Sequence, residues 1–123
     1  MTISKKENYK EWLGQNVTVA IDRPIGSSHP DFRDLMYPVN YGHIPGVVSD
    51  IDHEDIDAYI LGQPQPLVSF EGKVIAVINR DNDEIKLVVT DGLEVAKEDI
   101  EKQVNFQEKY FKHSIITPGD LET

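Results

Sequence analysis

Two segments of this chain alternate apolar and polar residues with a period of two, and that period limits what it can fold into. Over residues 16–22, Val17, Val19 and Ile21 fall on one face, with Thr18, Ala20 and Asp22 on the other. Over residues 84–90, Ile85, Leu87 and Val89 share a face and leave Glu84 and Lys86 together on the opposite one. Successive strand side chains point to opposite sides, so both runs read as strands with a core against one face. Residues 57–61 and the nearly continuous apolar run at 73–79 add two strands, and Val47-Val48 starts another that an acidic run interrupts. Proline and glycine stay in the connections. Gly62-Gln-Pro-Gln-Pro66 breaks the chain, and Arg80-Asp-Asn-Asp83 is turn chemistry.

Helical signals lie near the two ends. Ser4-Lys-Lys-Glu7 fits a capping box ahead of Tyr9, Trp12 and Leu13, with Gly14 as a stop. From about residue 97 to 112 a helix is expected, with Ile100, Val104 and Phe111 on one stripe. Several short strands between two helices predict one domain over residues 1–123, mainly β within an α+β class. It is a small barrel with a short N-terminal helix and a C-terminal helix packed across it. Trp12, Tyr59 and Phe70 are assigned to its core.

Chemistry concentrates in the acidic run. Asp50, Asp52, Glu54, Asp55 and Asp57 place five carboxylates within eight residues, directly behind the aromatic, turn-rich segment Tyr37-Pro-Val-Asn-Tyr-Gly-His-Ile-Pro45. Clustered acids repel one another unless water solvates them or a hard cation sits among them. A strand resumes at once with Ala58-Tyr-Ile-Leu61, which anchors the run to the core and favours a magnesium site at Asp52, Glu54 and Asp57. A solvated acidic turn is the competing reading. An EF-hand is excluded, because its sixth position would be Asp55 where glycine is needed and its twelfth Leu61 where glutamate belongs. A second acidic group, Asp81, Asp83 and Glu84, lies at a turn between strands, with Lys86 two residues beyond. Two carboxylate clusters and a lysine are what a metal-assisted phosphoryl site requires. The alternative is a charged hairpin whose surface ion pair is worth at most ~1 kcal/mol.

Other classes fall away. Twelve basic against 22 acidic side chains leave a formal charge of −10, unsuited to holding nucleic acid or an anionic membrane. Bound cations would reconcile that charge with a phosphate substrate by reversing the local sign. With no cysteine, disulfides, thiolate metal sites and cysteine nucleophiles are excluded. No apolar stretch reaches membrane-span length, and the first residues lack a signal peptide's apolar segment, so a soluble cytoplasmic protein is expected. His29, His43, His53 and His113 show no zinc spacing and are assigned structural places. Ser27-Ser28-His29 is not a nucleophile elbow, and Gly42-His-Ile-Pro-Gly46 lacks a phosphate loop's lysine and hydroxyl.

Taken together, Tyr37-Pro-Val-Asn-Tyr-Gly-His-Ile and the acids behind it resemble the signature of the soluble family I inorganic pyrophosphatases. That family carries Tyr-Pro-x-Asn-Tyr-Gly-Tyr-Ile, then Asp-x-Asp-Pro-x-Asp and a hydrophobic strand. Here Asp52, Glu54 and Asp57 take the three acidic places, and Asp55 stands where the proline would be. Asp81, Glu84 and Lys86 resemble the family's later acids and lysine with a shorter gap, and Tyr110 with Lys112 its terminal tyrosine and lysine with Phe111 between. The similarity runs from about residue 17 to 112.

The resemblance implies a five-stranded oligonucleotide-binding-type (OB-type) barrel, Mg²⁺-dependent hydrolysis of inorganic pyrophosphate, and a homo-oligomer. It would make Asp52, Glu54, Asp57, Asp81 and Glu84 metal ligands, and Glu54 the base for the attacking water. Tyr41, Lys86, Tyr110, Lys112 and Arg33 would grip phosphate oxygens. The family's longer hairpin after the first strand is trimmed here to residues 23–36. Arg33 is the best counterpart of its arginine, ahead of Arg23 and His29, and no lysine aligns. Two other readings stand beside the diphosphatase. One is hydrolysis of a different phosphoanhydride or nucleotide, admitted by the opened pocket. The other is a metal- or phosphate-binding module without turnover.

Overall fold

A computed structural model of the chain describes residues 11–48, 55–82 and 84–121. Among these residues the elements follow in the order β1 (Asn16–Arg23), β2 (Asn40–Val48), β3 (Asp55–Ile60), β4 (Ser69–Arg80), β5 (Ile85–Thr90), α1 (Lys97–Glu108), β6 (His113–Ile116) and α2 (Pro118–Leu121). The sheet order is β1-β2-β3-β5-β4-β6, and a further β1–β4 pairing closes the first five strands into a barrel. The 12-residue β4 pairs β5 along one edge and is long enough to serve two strands along the other. Its first half pairs β1 from Ser69 to Lys73, and its second half pairs β6 from Val77 to Arg80. All pairings are antiparallel except β3 with β5.

Period two sorts the apolar side chains into two clusters. Val17 and Val19, Ile44, Ile56 with Ala58 and Ile60, Val74 with Val77, and Leu87 with Val89 come from all five barrel strands and fill the interior. Tyr59, Ile75, Ala76, Ile78 and Val88 lie on the outer face beneath Ile100 and Val104 of α1 and Ile115 of β6. The apolar run in β4 is nearly continuous because both of its faces are covered. An irregularity between Val74 and Ala76 lets Ile75 and Ala76 both turn outward.

The barrel, its OB-type architecture and the crossing C-terminal helix agree with the sequence expectation. Several boundaries differ. The aromatic segment expected as turn-rich is largely strand, with Asn40 opposite Ile60, Tyr41 opposite Tyr59 and Gly42 opposite Ala58. Val47 and Val48 end that strand and do not begin one. Pro45 is tolerated because it falls where the ladder shifts register, between His43 and Val48. Helix α1 stops at Glu108, so Phe111 leaves the expected stripe and stays 39% exposed. The chain then turns into β6, which periodicity alone did not announce in four residues. Glu11 and Trp12 are helical, but most of the expected N-terminal helix lies outside the described residues. Among the described residues no helix is long and apolar enough to cross a membrane.

Gly42 is required by closure. A Cβ there would stand 1.9 Å from the Ala20 carbonyl oxygen of β1, so only glycine lets the two backbones approach. Gly42→Ala should lower stability by about 1–3 kcal/mol, the usual range for overpacking. Urea unfolding should show this as a lower midpoint at unchanged slope.

His113 fastens β6 to α1 and to the turn that follows it. Its Nδ1 donates to the Phe111 carbonyl at 2.7 Å and its Nε2 to the Glu101 carboxylate at 2.8 Å. Burial opposes the charged ring, but these two bonds outweigh it and hold the pKa above the ordinary 6.5. The contribution is therefore complete below 6.5 and is lost as pH rises through the raised folded value. The melting temperature should fall over that interval in the native protein, and fall less in His113→Gln.

Candidate active site

Parallel pairing places Asp57 of β3 opposite Lys86 of β5. Both alternate with interior residues, so both project from the outer face of the barrel. Lys86 Nζ donates to Asp57 Oδ2 at 2.8 Å, and the Tyr41 hydroxyl donates to the same oxygen at 2.8 Å. Burial, then the Asp57 charge, hold the Tyr41 phenol well above its ordinary pKa, so it remains a proton-bearing donor. Lys86 is itself buried, and its Nζ lies 3.9 Å from Glu84 Oε2. The two acidic stretches therefore meet at one lysine, through Asp57 on one side and Glu84 on the other.

Behind them lies a network that the sequence reading missed. Arg80, 5% exposed, is held by the fully buried Glu108 through Nε–Oε1 at 2.9 Å and Nη2–Oε2 at 2.7 Å. Its Nη1 reaches Glu84 Oε2 at 3.1 Å. The Tyr59 hydroxyl donates to Glu108 at 2.6 Å and accepts from Gln107 Nε2 at 2.7 Å, and Tyr37 donates to Gln107 Oε1 at 2.8 Å. Burial disfavours the Arg80 cation, yet the Glu108 bonds more than compensate and its pKa is raised. Burial and the Glu108 charge push the Tyr59 phenol far above its normal range. A signal for this network was present. Glu108 continues the Ile100–Val104 stripe by one further helical step of four, and Arg80 continues the outer face of Ile78 by one step of two.

The residues of the Tyr-Pro-Val-Asn-Tyr-Gly segment divide their work. Tyr37 fixes Gln107. Asn40, fully buried, accepts from the Ile25 and Leu67 amides and donates to the Gln65 carbonyl, tying two loops to β2. Only Tyr41 meets the acids. His43, assigned a structural place from the sequence, bonds Asp22 at 2.7 Å. That bond chiefly raises its pKa.

Above this floor opens a cleft of about 840 Å³ between the 29–35 loop and residues 107–111. Arg33, Tyr41, Lys86 and Tyr110 all line it, together with Arg80 and Lys109. A smaller cavity of about 310 Å³ adjoins it at Tyr41 and is lined by Asp57, Asp22 and Arg23. Glu84 reaches the cleft only through its contacts with Arg80 and Lys86. Lys112 and Asp81 line neither cavity; Lys112 accepts the Asp81 amide proton at its carbonyl, and Lys109 stands at the cleft instead. Asp52 and Glu54 lie outside the described residues.

The described residues alone do not fit a divalent cation. Asp57 is engaged by Lys86 and Tyr41, Glu84 by Arg80, and among the described residues no group of three histidines or carboxylates is placed to hold a metal.

No protein-family model and no curated protein matches the sequence. The fold does match solved structures. The inorganic pyrophosphatase of Neisseria gonorrhoeae is similar at 21% identity and a TM-score of 0.60, over 79% of this chain and 74% of that one. That of Ehrlichia chaffeensis is 14% identical at a TM-score of 0.63, over 83% and 85%. That of Helicobacter pylori is 16% identical at 0.62, over 85% and 86%. The barrel and its covering helix thus have the fold of these inorganic pyrophosphatases, as the motif resemblance implied.

Removing Glu108 should be costly, because Arg80 would remain buried without its counter-charge. Glu108→Ala should lose about 3–5 kcal/mol. The double variant Arg80→Met/Glu108→Leu should lose less than the two single changes summed, measured by denaturant midpoints in a double-mutant cycle.

Proposed function

We propose that this chain hydrolyses a phosphoanhydride, with inorganic pyrophosphate as substrate and Mg²⁺ as cofactor. The observation carrying this reading is that Arg33, Tyr41, Lys86 and Tyr110, four residues matching a phosphate grip in the sequence, line one cleft beside Asp57. In a chain of net charge −10, such a local concentration of cations is what a polyphosphate needs. Lys86 and Arg33 neutralise phosphate oxygens, and the Tyr41 and Tyr110 hydroxyls donate to them. Water adds to one phosphorus while the bridging oxygen departs with its electron pair on the other phosphate. Glu54 takes the water's proton, and Lys86, Tyr110 and Arg33 stabilise the departing charge. Bound Mg²⁺ would lower the pKa of that water and offset the substrate's charge. A cation would require Asp52 and Glu54 in addition to Asp57, with Glu84 and Asp81 as the further expected ligands. Self-association belongs to the same reading and rests on the resemblance, while a cytoplasmic location rests on the expectation from composition.

One observation favours a phosphate-binding module without turnover: Asp57 and Glu84 are each already paired with a cation. Phosphate release from pyrophosphate with Mg²⁺ decides between the two. Asp57→Asn, Glu54→Gln and Lys86→Met should each lower the rate, by roughly a hundredfold for loss of one electrophilic contact. Equal rates in all four proteins would remove the site assignment. Calorimetric phosphate binding with no release from any anhydride would support the module.

A further inference from the structure

Two phosphates do not account for this cleft. Its volume, about 840 Å³, falls in the range of pockets that enclose ligands of drug size. Three of the chain's exposed large apolar side chains line it: Phe32 at 65%, Tyr110 at 66% and Phe111 at 39% exposure. Pyrophosphate has no apolar surface to lay against them. Exposed aromatic rings gathered at one cleft mark a binding surface.

The exposure of Phe32 is built into the loop. Gly26 and Tyr37 bond each other's strands through the Gly26 amide to the Tyr37 carbonyl and the Tyr37 amide to the Ser27 carbonyl, each at 2.9 Å. The His29 amide donates to Leu35 and the Leu35 amide to the Phe32 carbonyl, also at 2.9 Å. Ser28 and Met36 form an isolated bridge across the same miniature hairpin. Phe32 and Arg33 are thus carried together at its tip, with the His29 ring 5.1 Å from that of Phe32.

Cations and rings are interleaved on the facing wall as well. Lys109 Nζ lies 5.3 Å from the Tyr110 ring centroid, and Arg80 Cζ lies 3.7 Å from that of Phe111. A ligand satisfying both kinds of group joins a flat aromatic system to a short chain of negative charges. We propose, on the phosphoanhydride reading above, that the occupant of this cleft is a nucleoside polyphosphate. Its base stacks at Phe32 and Tyr110, and its phosphates lie on Arg33, Lys109 and Lys86 beside Asp57. Gln107 is held in place by one bond at its amide oxygen, from Tyr37, and one from its nitrogen, to Tyr59. Stacking is open to every base, since each presents a π-face. The cleft therefore accepts purines and pyrimidines alike.

The test compares ATP, GTP, CTP, UTP and pyrophosphate. Product release with Mg²⁺ is followed by chromatography, and ADP binding by calorimetry, for the native chain, Phe32→Ala and Phe32→Trp. The expected result is that all four nucleotides bind within about a tenfold range. Phe32→Ala should weaken ADP by roughly five- to a hundredfold, Phe32→Trp should restore it, and neither should change the KM for pyrophosphate. Pyrophosphate cleavage with nucleotides neither bound nor cleaved would overturn this inference and leave the proposed function standing. Nucleotide binding indifferent to Phe32 would also overturn it. Phe32-dependent ADP binding with no turnover of any anhydride would uphold the ligand class and remove the hydrolase.

Discussion

Asp57 and Lys86 come from strands whose barrel positions are separated by the long β4 hairpin in sequence, and the parallel β3–β5 ladder is what sets them side by side. Because the ladder's period is two, the register that buries Ala58 and Leu87 inside necessarily turns Asp57 and Lys86 outward together. A one-residue slip would put a carboxylate and an ammonium into the barrel interior, at a cost of several kcal/mol per ion. The hydrophobic interior therefore enforces the alignment of the polar site. At rest Lys86 is shared between Asp57 and Glu84, so an arriving anion must take over a partner that is already engaged.

Arg80 and Glu108 give this outer face its rigidity. The bidentate pair joins the end of β4 to the end of α1, and Tyr59, Gln107 and Tyr37 extend it to the start of β2. Five side chains from four segments are thereby held by mutual hydrogen bonds, and the cleft stands on them. Such a network resists loss of any single member, since the group left behind would be buried without a partner.

Much of the fold was legible because it depends on short-range periodicity. The alternation around Val17 and Leu87 and the placement of proline and glycine located strands and connections to within a few residues. Asn40 and Pro38 misled, since turn-forming residue types open a segment that tertiary pairing then extends as strand. Of the candidate site, Arg33, Tyr41, Lys86 and Tyr110 could be found from the motif, and they share the cleft. Arg80, Glu108 and Lys109 belong to no motif; periodicity places Arg80 and Glu108 on covered faces, but their pairing arises from contacts between distant segments. Arg80 in particular opens a stretch of turn-forming residues, and its partner Glu108 on α1 is visible only in the fold.

The closed barrel has one further consequence, which concerns its rim. Among the described residues each of the first five strands pairs with a strand on both sides, and the four-residue β6 has a single partner. A brief exposed edge is a poor template for adding a foreign strand, and it limits the cross-β stacking to which open sheets are prone. Recognition of another macromolecule would consequently depend on the chemistry of side chains and not on extension of the sheet.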